Sequence, residues 1–212
     1  YGEIELIDTQ LGRILEALDE TGQLDDTIVV FMSDHGELLG DHGLLFKGCR
    51  FFEGLVHVPL VVSWPRRLLQ NATSDALVEL VDVAPTLLEL AGIPIPEYVQ
   101  GRSLAPLLQG SADLHRHKPV VVSEYNDAMA SGTTAGGGHD ASHGTMSFDG
   151  RYKVAMYHGH EAVEIYDLQE DPGEFVNLWD SGGDDLRLRL LKRHVDAVMA
   201  TSDAGIRRTK PY

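Results

Sequence analysis

The segment Thr27-Ile-Val-Val-Phe-Met-Ser-Asp-His-Gly-Glu37 constrains this chain more than any other. Ile28, Val29, Val30 and Phe31 form a β-branched and aromatic run that reads as a buried parallel strand. The run stops at Ser33, so the strand's C-terminal end delivers Asp34 and His35 side by side. In open α/β sheets ligands bind outside the carboxyl ends of the strands. A carboxylate next to an imidazole at such a point suits a divalent metal, and Gly36 lets the backbone turn away. Taken alone, the same residues also fit a polar strand-to-loop turn in which Asp34 acts as a cap.

The rest of the chain follows an α/β order. Ile4, Ile7, Leu11, Ile14, Leu15 and Leu18 share one helical face over residues 3–19, and Gly22 ends that helix. A strand over 27–32 leads into a polar, glycine-rich loop over 33–50. Val58 to Trp64 is a second apolar strand, stopped by Pro65. A helix over 83–91 has Asp82 as its cap, Pro85 in its first turn and Gly92 just past its end. Near-continuous apolar strands alternating with helices imply a mostly parallel sheet with flanking helices.

The character changes after Gly110. Val120 to Tyr125 reads as a strand, and 126–144 as a loop rich in Gly, Ala, Ser and His. Residues 152–157 and 161–168 read as a hairpin around His158-Gly-His160. A final helix over 184–200 places Leu186, Leu190, Leu191, Val195 and Val198 on one face. The expected organisation is therefore residues 1–115 as part of an α/β core and 116–212 as a small antiparallel sheet with a helix packed on it.

Composition excludes some function classes. A formal charge of −16 argues against a nucleic-acid partner, since phosphate neutralisation needs clustered Lys and Arg. It does not forbid an anionic substrate, because a metal and a few cations reverse the field inside a pocket. No run of about eighteen apolar residues encodes a membrane span. The single cysteine excludes an internal disulfide.

From Ser33 the chain reads Ser-Asp-His-Gly-Glu-Leu-Leu-Gly-Asp-His-Gly-Leu-Leu-Phe-Lys-Gly, followed by Phe51-Phe-Glu-Gly-Leu-Val-His-Val-Pro. Further blocks are Asp82-Val-Ala-Pro-Thr-Leu-Leu-Glu-Leu-Ala-Gly-Ile-Pro, Gly101-Arg-Ser-Leu-Ala-Pro-Leu-Leu and Tyr166-Asp-Leu-Gln-Glu-Asp-Pro-Gly-Glu-Phe-Val-Asn-Leu. In this order they resemble the second half of the sulfatase family, within the alkaline phosphatase superfamily. The family's Cys/Ser-x-Pro-x-Arg motif, whose Cys or Ser becomes formylglycine, is not matched: Cys49 lies in Gly-Cys-Arg-Phe-Phe. The family's N-terminal aspartate pair is likewise unmatched. The expectation is a C-terminal part whose formylglycine and remaining metal ligands belong to an N-terminal half, inactive without it.

The resemblance implies residue roles. Asp34 and His35 match the family's metal-binding pair, for Ca²⁺ first and Mn²⁺ as the alternative. Lys47 matches a lysine that contacts the ester's oxygens and steadies the leaving oxygen, making it both catalytic and substrate-binding. His42 and Glu37 are expected to support the site from behind the ligands. His143 is a candidate for the substrate pocket, and Arg50 a possible substrate contact. The implied activity is hydrolysis of sulfate esters. A phosphonate monoester hydrolase or phosphodiesterase shares the same half-site, and a non-catalytic binding module is the reading from a different class.

Overall fold

Nineteen residues of amphipathic sequence open the structure, a computed structural model that describes residues 2–126 and 143–202. They form helix α1 (Gly2–Glu20), with Glu3 and Glu5 in the first turn, where unpaired backbone N–H groups favour negative charge. Much of its apolar face is open, although Leu11, Leu15 and Leu18 are partly buried. Ile4 is 66 % exposed, and Ile7 and Ile14 are also open to solvent.

Strand β1 (Val29–Met32) pairs with β2 (Leu60–Ser63), Val30 standing opposite Val62. The two run antiparallel, so the mostly parallel arrangement does not describe this pair, although the α/β class stands. The physical reason is that an apolar run reports burial and carries no direction. A parallel return needs a crossover, usually helical. Between these strands lie only a loop and the four-residue helix α2 (Glu53–Val56). Phe31, Met32 and Val61 are likewise exposed.

Helix α3 (Val83–Leu90) carries Pro85 in its first turn and ends before Gly92, whose φ of 71° is the left-handed stop. Asp82 does not cap α3 as expected, because its carboxylate is engaged elsewhere. Its Oδ2 accepts the Glu79 N–H at 3.0 Å across a 3-10 turn (Leu80–Asp82), and its Oδ1 accepts the Arg102 N–H at 2.7 Å. Lys118 binds both Asp82 and Glu79, and Glu79 Oε1 accepts the Val122 N–H at 2.6 Å. One buried acidic turn thereby ties the first half, including helix α4 (Ala105–Leu108), to the start of the second sheet.

That sheet is an antiparallel meander of β3 (Val121–Asn126), β4 (His143–Phe148), β5 (Tyr152–His158) and β6 (Ala162–Asp167), in sequence order. Gly159, at φ 82°, makes the expected hairpin turn. Strand β4 was not expected, since the glycine-rich loop reading ran through Gly144. Residues 127–142 of that loop, with His139, lie outside the described residues. Helix α5 (Asp184–Ser202) crosses one face, where Val154, Ile165 and Leu190 form a core cluster. The opposite face carries Met146, Ala155 and Tyr157 against Phe51 from the loop after β1. Among the described residues no helix is long and apolar enough to cross a membrane.

The buried face of α5 differs from expectation at one position. Val195 is half exposed, and His194, 2 % exposed, takes its place. His194 Nε2 lies 3.0 Å from Thr145 Oγ1 and its Nδ1 lies 2.9 Å from Ser147 Oγ. Burial pushes this imidazole down to about 4 from an ordinary 6.5, with His158 adding in the same direction. Because the folded state holds His194 neutral, stability is full above the unfolded value and is lost as pH falls through roughly 6.5 towards 4. A shift of this size corresponds to about 3 kcal/mol. Urea melts at pH 7 and pH 4.5 are expected to show His194→Gln losing about 2–3 kcal/mol less on acidification than the parent chain. Equal pH slopes for the two proteins would contradict this.

Candidate metal and anion site

Strand β1 ends at Met32, and the next residues turn on short local bonds. Ser33 Oγ donates to His35 O at 2.7 Å, and the His35 N–H donates to Asp34 Oδ1 at 3.0 Å. That backbone N–H, followed by the His35 ring, lowers the Asp34 carboxyl below the ordinary aspartate value, so it stands ready as a carboxylate. Gly36 serves close approach more than a sharp turn. A Cβ there would lie 1.9 Å from Gly54 O, while the Gly36 N–H donates to Leu55 O at 2.8 Å. The metal-strand turn is thus sewn directly onto α2.

Hydrogen-bond polarity fixes the His35 ring. Nδ1 lies 2.8 Å from Gly36 O, and a carbonyl only accepts, so Nδ1 carries the hydrogen. Nε2 lies 2.7 Å from Lys47 Nζ, and an ammonium only donates, so Nε2 offers its lone pair. Asp34 Oδ2 is 3.6 Å from that same Nε2. Two donors at this separation fit adjacent positions around one cation at metal–ligand distances of about 2.0–2.6 Å. An oxygen and an imidazole nitrogen suit Ca²⁺ or Mn²⁺. As candidate ligands the two would make only part of a shell: among the described residues no group of three or more acidic, His or Cys side chains is placed to hold a metal.

Lys47 is carried by an exposed loop whose far end is anchored firmly. Phe51 and Phe52 are buried, and Gly144 of β4 lies so close that a Cβ would meet Phe51 Cε2 at 2.9 Å and Cys49 Sγ at 3.0 Å. From β5, Lys153, 1 % exposed, donates to Phe51 O at 3.0 Å and to Glu174 Oε1 at 2.8 Å, and it also binds Glu53. Glu174 Oε2 in turn accepts the Glu53 N–H at 2.7 Å. Three side chains far apart in sequence thus fix the loop that follows Lys47 onto the second sheet.

The remaining candidates fall in different places. His42, at a left-handed φ of 51°, stacks on Phe52 with ring centroids 3.7 Å apart and tilts against Phe175, which pins the loop. Glu37 accepts the N–H of Leu38 at 3.0 Å. His143 bonds Glu124 at 3.0 Å and packs on His158. It shares the α5 face of β4 with Thr145, opposite the face where Gly144 touches Cys49, so its side chain points away from the Lys47 loop. Cys49 packs beside Phe51 in the core. In the acidic turn from Asp167 to Glu174, Asp167 pairs with Arg151 and Glu174 with Lys153.

Two features at the site escaped sequence reasoning: the Lys153 anchor and the packing of Arg50 over Tyr157. Glu53 and Glu174 both sit in motif blocks quoted above, but no spacing rule joins residues a hundred positions apart. A buried lysine in an otherwise apolar strand was the one available signal.

Residues 40–200 match the family described as N-sulphoglucosamine sulphohydrolase, C-terminal. Arylsulfatase K of Xenopus laevis is 38 % identical over 179 residues, covering 81 % of this chain and 31 % of that protein. The Delta 4,5-hexuronate-2-O-sulfatase of Bacteroides thetaiotaomicron is 35 % identical, covering 82 % and 35 %. The solved phosphonate monoester hydrolase from Silicibacter pomeroyi superposes with a TM-score of 0.80 at 30 % identity, covering 93 % of this chain and 39 % of that one. The chain belongs to the sulfatase family, of the alkaline phosphatase superfamily. It spans about a third of the length of the curated relatives it matches.

Proposed function

We propose that this chain supplies the metal-completing and charge-neutralising part of a metal-dependent sulfatase acting on sulfate esters. The observation that carries the reading is the convergence of Asp34 Oδ2 and Lys47 Nζ on His35 Nε2, at 3.6 and 2.7 Å. Asp34 and His35 would hold the ion, Ca²⁺ by preference. The ion would act as a Lewis acid on the ester oxygens, and a formylglycine in an N-terminal half would be the nucleophile.

The chain's own residues do the rest. His35 keeps Nδ1–H on Gly36 O, which aims Nε2 at the ion position. Lys47's ammonium lies 2.7 Å from that lone pair, and with the lone pair given to an ion it would be free to face the ester oxygens. There it stabilises negative charge as it develops on the bridging oxygen. The open apolar surface of α1, β1 and β2 supports a partner segment of the same α/β core, which we take to be the nucleophile-bearing half.

A second reading is hydrolysis of phosphonate monoesters or phosphodiesters, favoured by the fold match to the Silicibacter enzyme. Purified chain, alone and joined to a nucleophile-bearing N-terminal half, separates these. No turnover of p-nitrophenyl sulfate is expected from the 212 residues alone, and metal-dependent turnover from the joined protein. A joined protein that cleaves phenyl phosphonate esters far faster than sulfate esters would favour the second reading. Turnover by the isolated chain that disappears in Lys47→Ala would overturn the division of labour.

A further inference from the structure

Between Ser33 and Pro59 the chain has two formal cations, Lys47 and Arg50. Lys47 is taken up by the Asp34–His35 centre, whereas Arg50, three residues on, is held differently. Its guanidinium carbon lies 5.3 Å from the centroid of the Tyr157 ring, and its Nη1 donates to Cys49 O at 2.7 Å. Tyr157 is itself fixed, since its hydroxyl donates to Glu164 Oε2 at 2.9 Å and its ring packs with Phe51, Met146 and Ala155. Beyond one nitrogen bonded to backbone and one face on an aromatic ring, no other hydrogen bond of this exposed guanidinium is formed among the described residues. Among the described residues Arg50 forms no ion pair within 4 Å.

Such a geometry is pre-ordered for an anion. Stacking and the backbone bond remove much of the side chain's rotational freedom before any ligand arrives. The planar fork then presents parallel donors matched to a carboxylate or sulfate edge. Glu164 is the acidic group nearest in effect. Burial pushes its carboxyl up, with the Tyr157 hydroxyl and the Arg50 guanidinium acting in the opposite direction. The position is also suitable. Three residues of chain span at most about 10 Å, which keeps the backbone of Arg50 close to that of Lys47.

We propose that Arg50, seated on Tyr157, forms a second anion subsite beside Lys47, so that the preferred substrate is a sulfate ester carrying another anionic group on the same sugar unit. The inference rests on the sulfatase reading for the role of Lys47, while the subsite itself is read out by binding. Sulfate esters with an uncharged organic group leave Arg50 unmatched, and esters with a cationic organic group are disfavoured by it.

The test is calorimetric titration of the joined protein with three probes: a hexose 2-O-sulfate, the corresponding hexuronate 2-O-sulfate, and a hexose disulfate. The parent protein is expected to bind both dianions at least roughly tenfold more tightly than the monoanion, the gain of one charge-assisted contact. Arg50→Gln should abolish that preference and leave monoanion affinity unchanged, and Arg50→Lys, which keeps charge without the fork, should restore only part of it. A gain for the uronate alone assigns the subsite to carboxylate, and a gain for the disulfate alone assigns it to sulfate. A preference that survives Arg50→Gln, an equal loss for all three probes, or no binding of any probe overturns the subsite. Intact preference without turnover would instead sink the sulfatase reading and leave the subsite standing.

Discussion

Replacing Lys47 by alanine in the joined protein is expected to lower turnover of a sulfate ester by roughly 10²–10³, or about 3–4 kcal/mol in the barrier. Lys47 is exposed and, among the described residues, hydrogen-bonds His35 Nε2 at 2.7 Å, so its removal takes nothing from the core. Its ammonium interacts most strongly as charge accumulates on the bridging oxygen, so the loss falls on the transition state. The loss should therefore be larger for alkyl sulfates, whose leaving oxygen needs most stabilisation, than for nitrophenyl sulfate. Metal content should remain at the parent level, since the lysine vacates the His35 lone pair without disturbing either ligand. Equal losses across leaving groups would make Lys47 a general anion-binding residue, and an unchanged rate would return it to the solvent.

The largest expected effect on stability belongs to Lys153. Removing it leaves the nearly buried carboxylate of Glu174, and that of Glu53, without their shared cation. Breaking a buried ion pair in this way costs about 3–5 kcal/mol. That is a large share of the roughly 5–15 kcal/mol by which a domain is stable. Lys153→Ala is thus expected to shift urea unfolding far to lower denaturant or to leave the chain unfolded. The double variant Lys153→Met with Glu174→Gln removes the buried Lys153–Glu174 pair, leaves only the part-exposed Glu53 carboxylate without its cation, and should recover much of the loss, because apolar and neutral replacements spare the desolvation cost. The comparison is made by urea melts of parent, single and double variants. A single variant within about 1 kcal/mol of the parent would show that the anchor contributes little.

The sequence was legible where the physics is local. Apolar spacing at 3.6 residues located α1 and α5, and a β-branched run ending in Asp34-His35 located β1 and the strand-end position of that pair. Gly159 marked its hairpin, and Gly92 the end of α3. What escaped depends on partners distant in sequence. Strand β4 is His-Gly-Thr-Met-Ser-Phe, which has weak strand character alone and is stabilised by neighbours on both edges. The direction of β2 relative to β1 is set by pairing, which no periodicity encodes. Gly36 reads as a turn residue, but Gly54 O lies where its side chain would be. His194 sits on a helix face that an apolar pattern assigns to Val195, because only Thr145 and Ser147 of β4 make a buried imidazole acceptable. At the site, Asp34, His35 and Lys47 were all legible and do converge, whereas His143 lies on the opposite face of the sheet.

The account turns on whether Asp34 and His35 hold the ion that makes the ester reactive. Elemental analysis of the joined protein and its Asp34→Ala variant, alongside turnover of a sulfate ester, measures this directly. The account predicts bound divalent metal in the parent, and in Asp34→Ala a loss of both the metal and the activity, with an unfolding curve close to the parent's because Asp34 is exposed. An Asp34→Ala protein that keeps full metal occupancy and a near-normal rate would reduce Asp34 to a turn residue and contradict it.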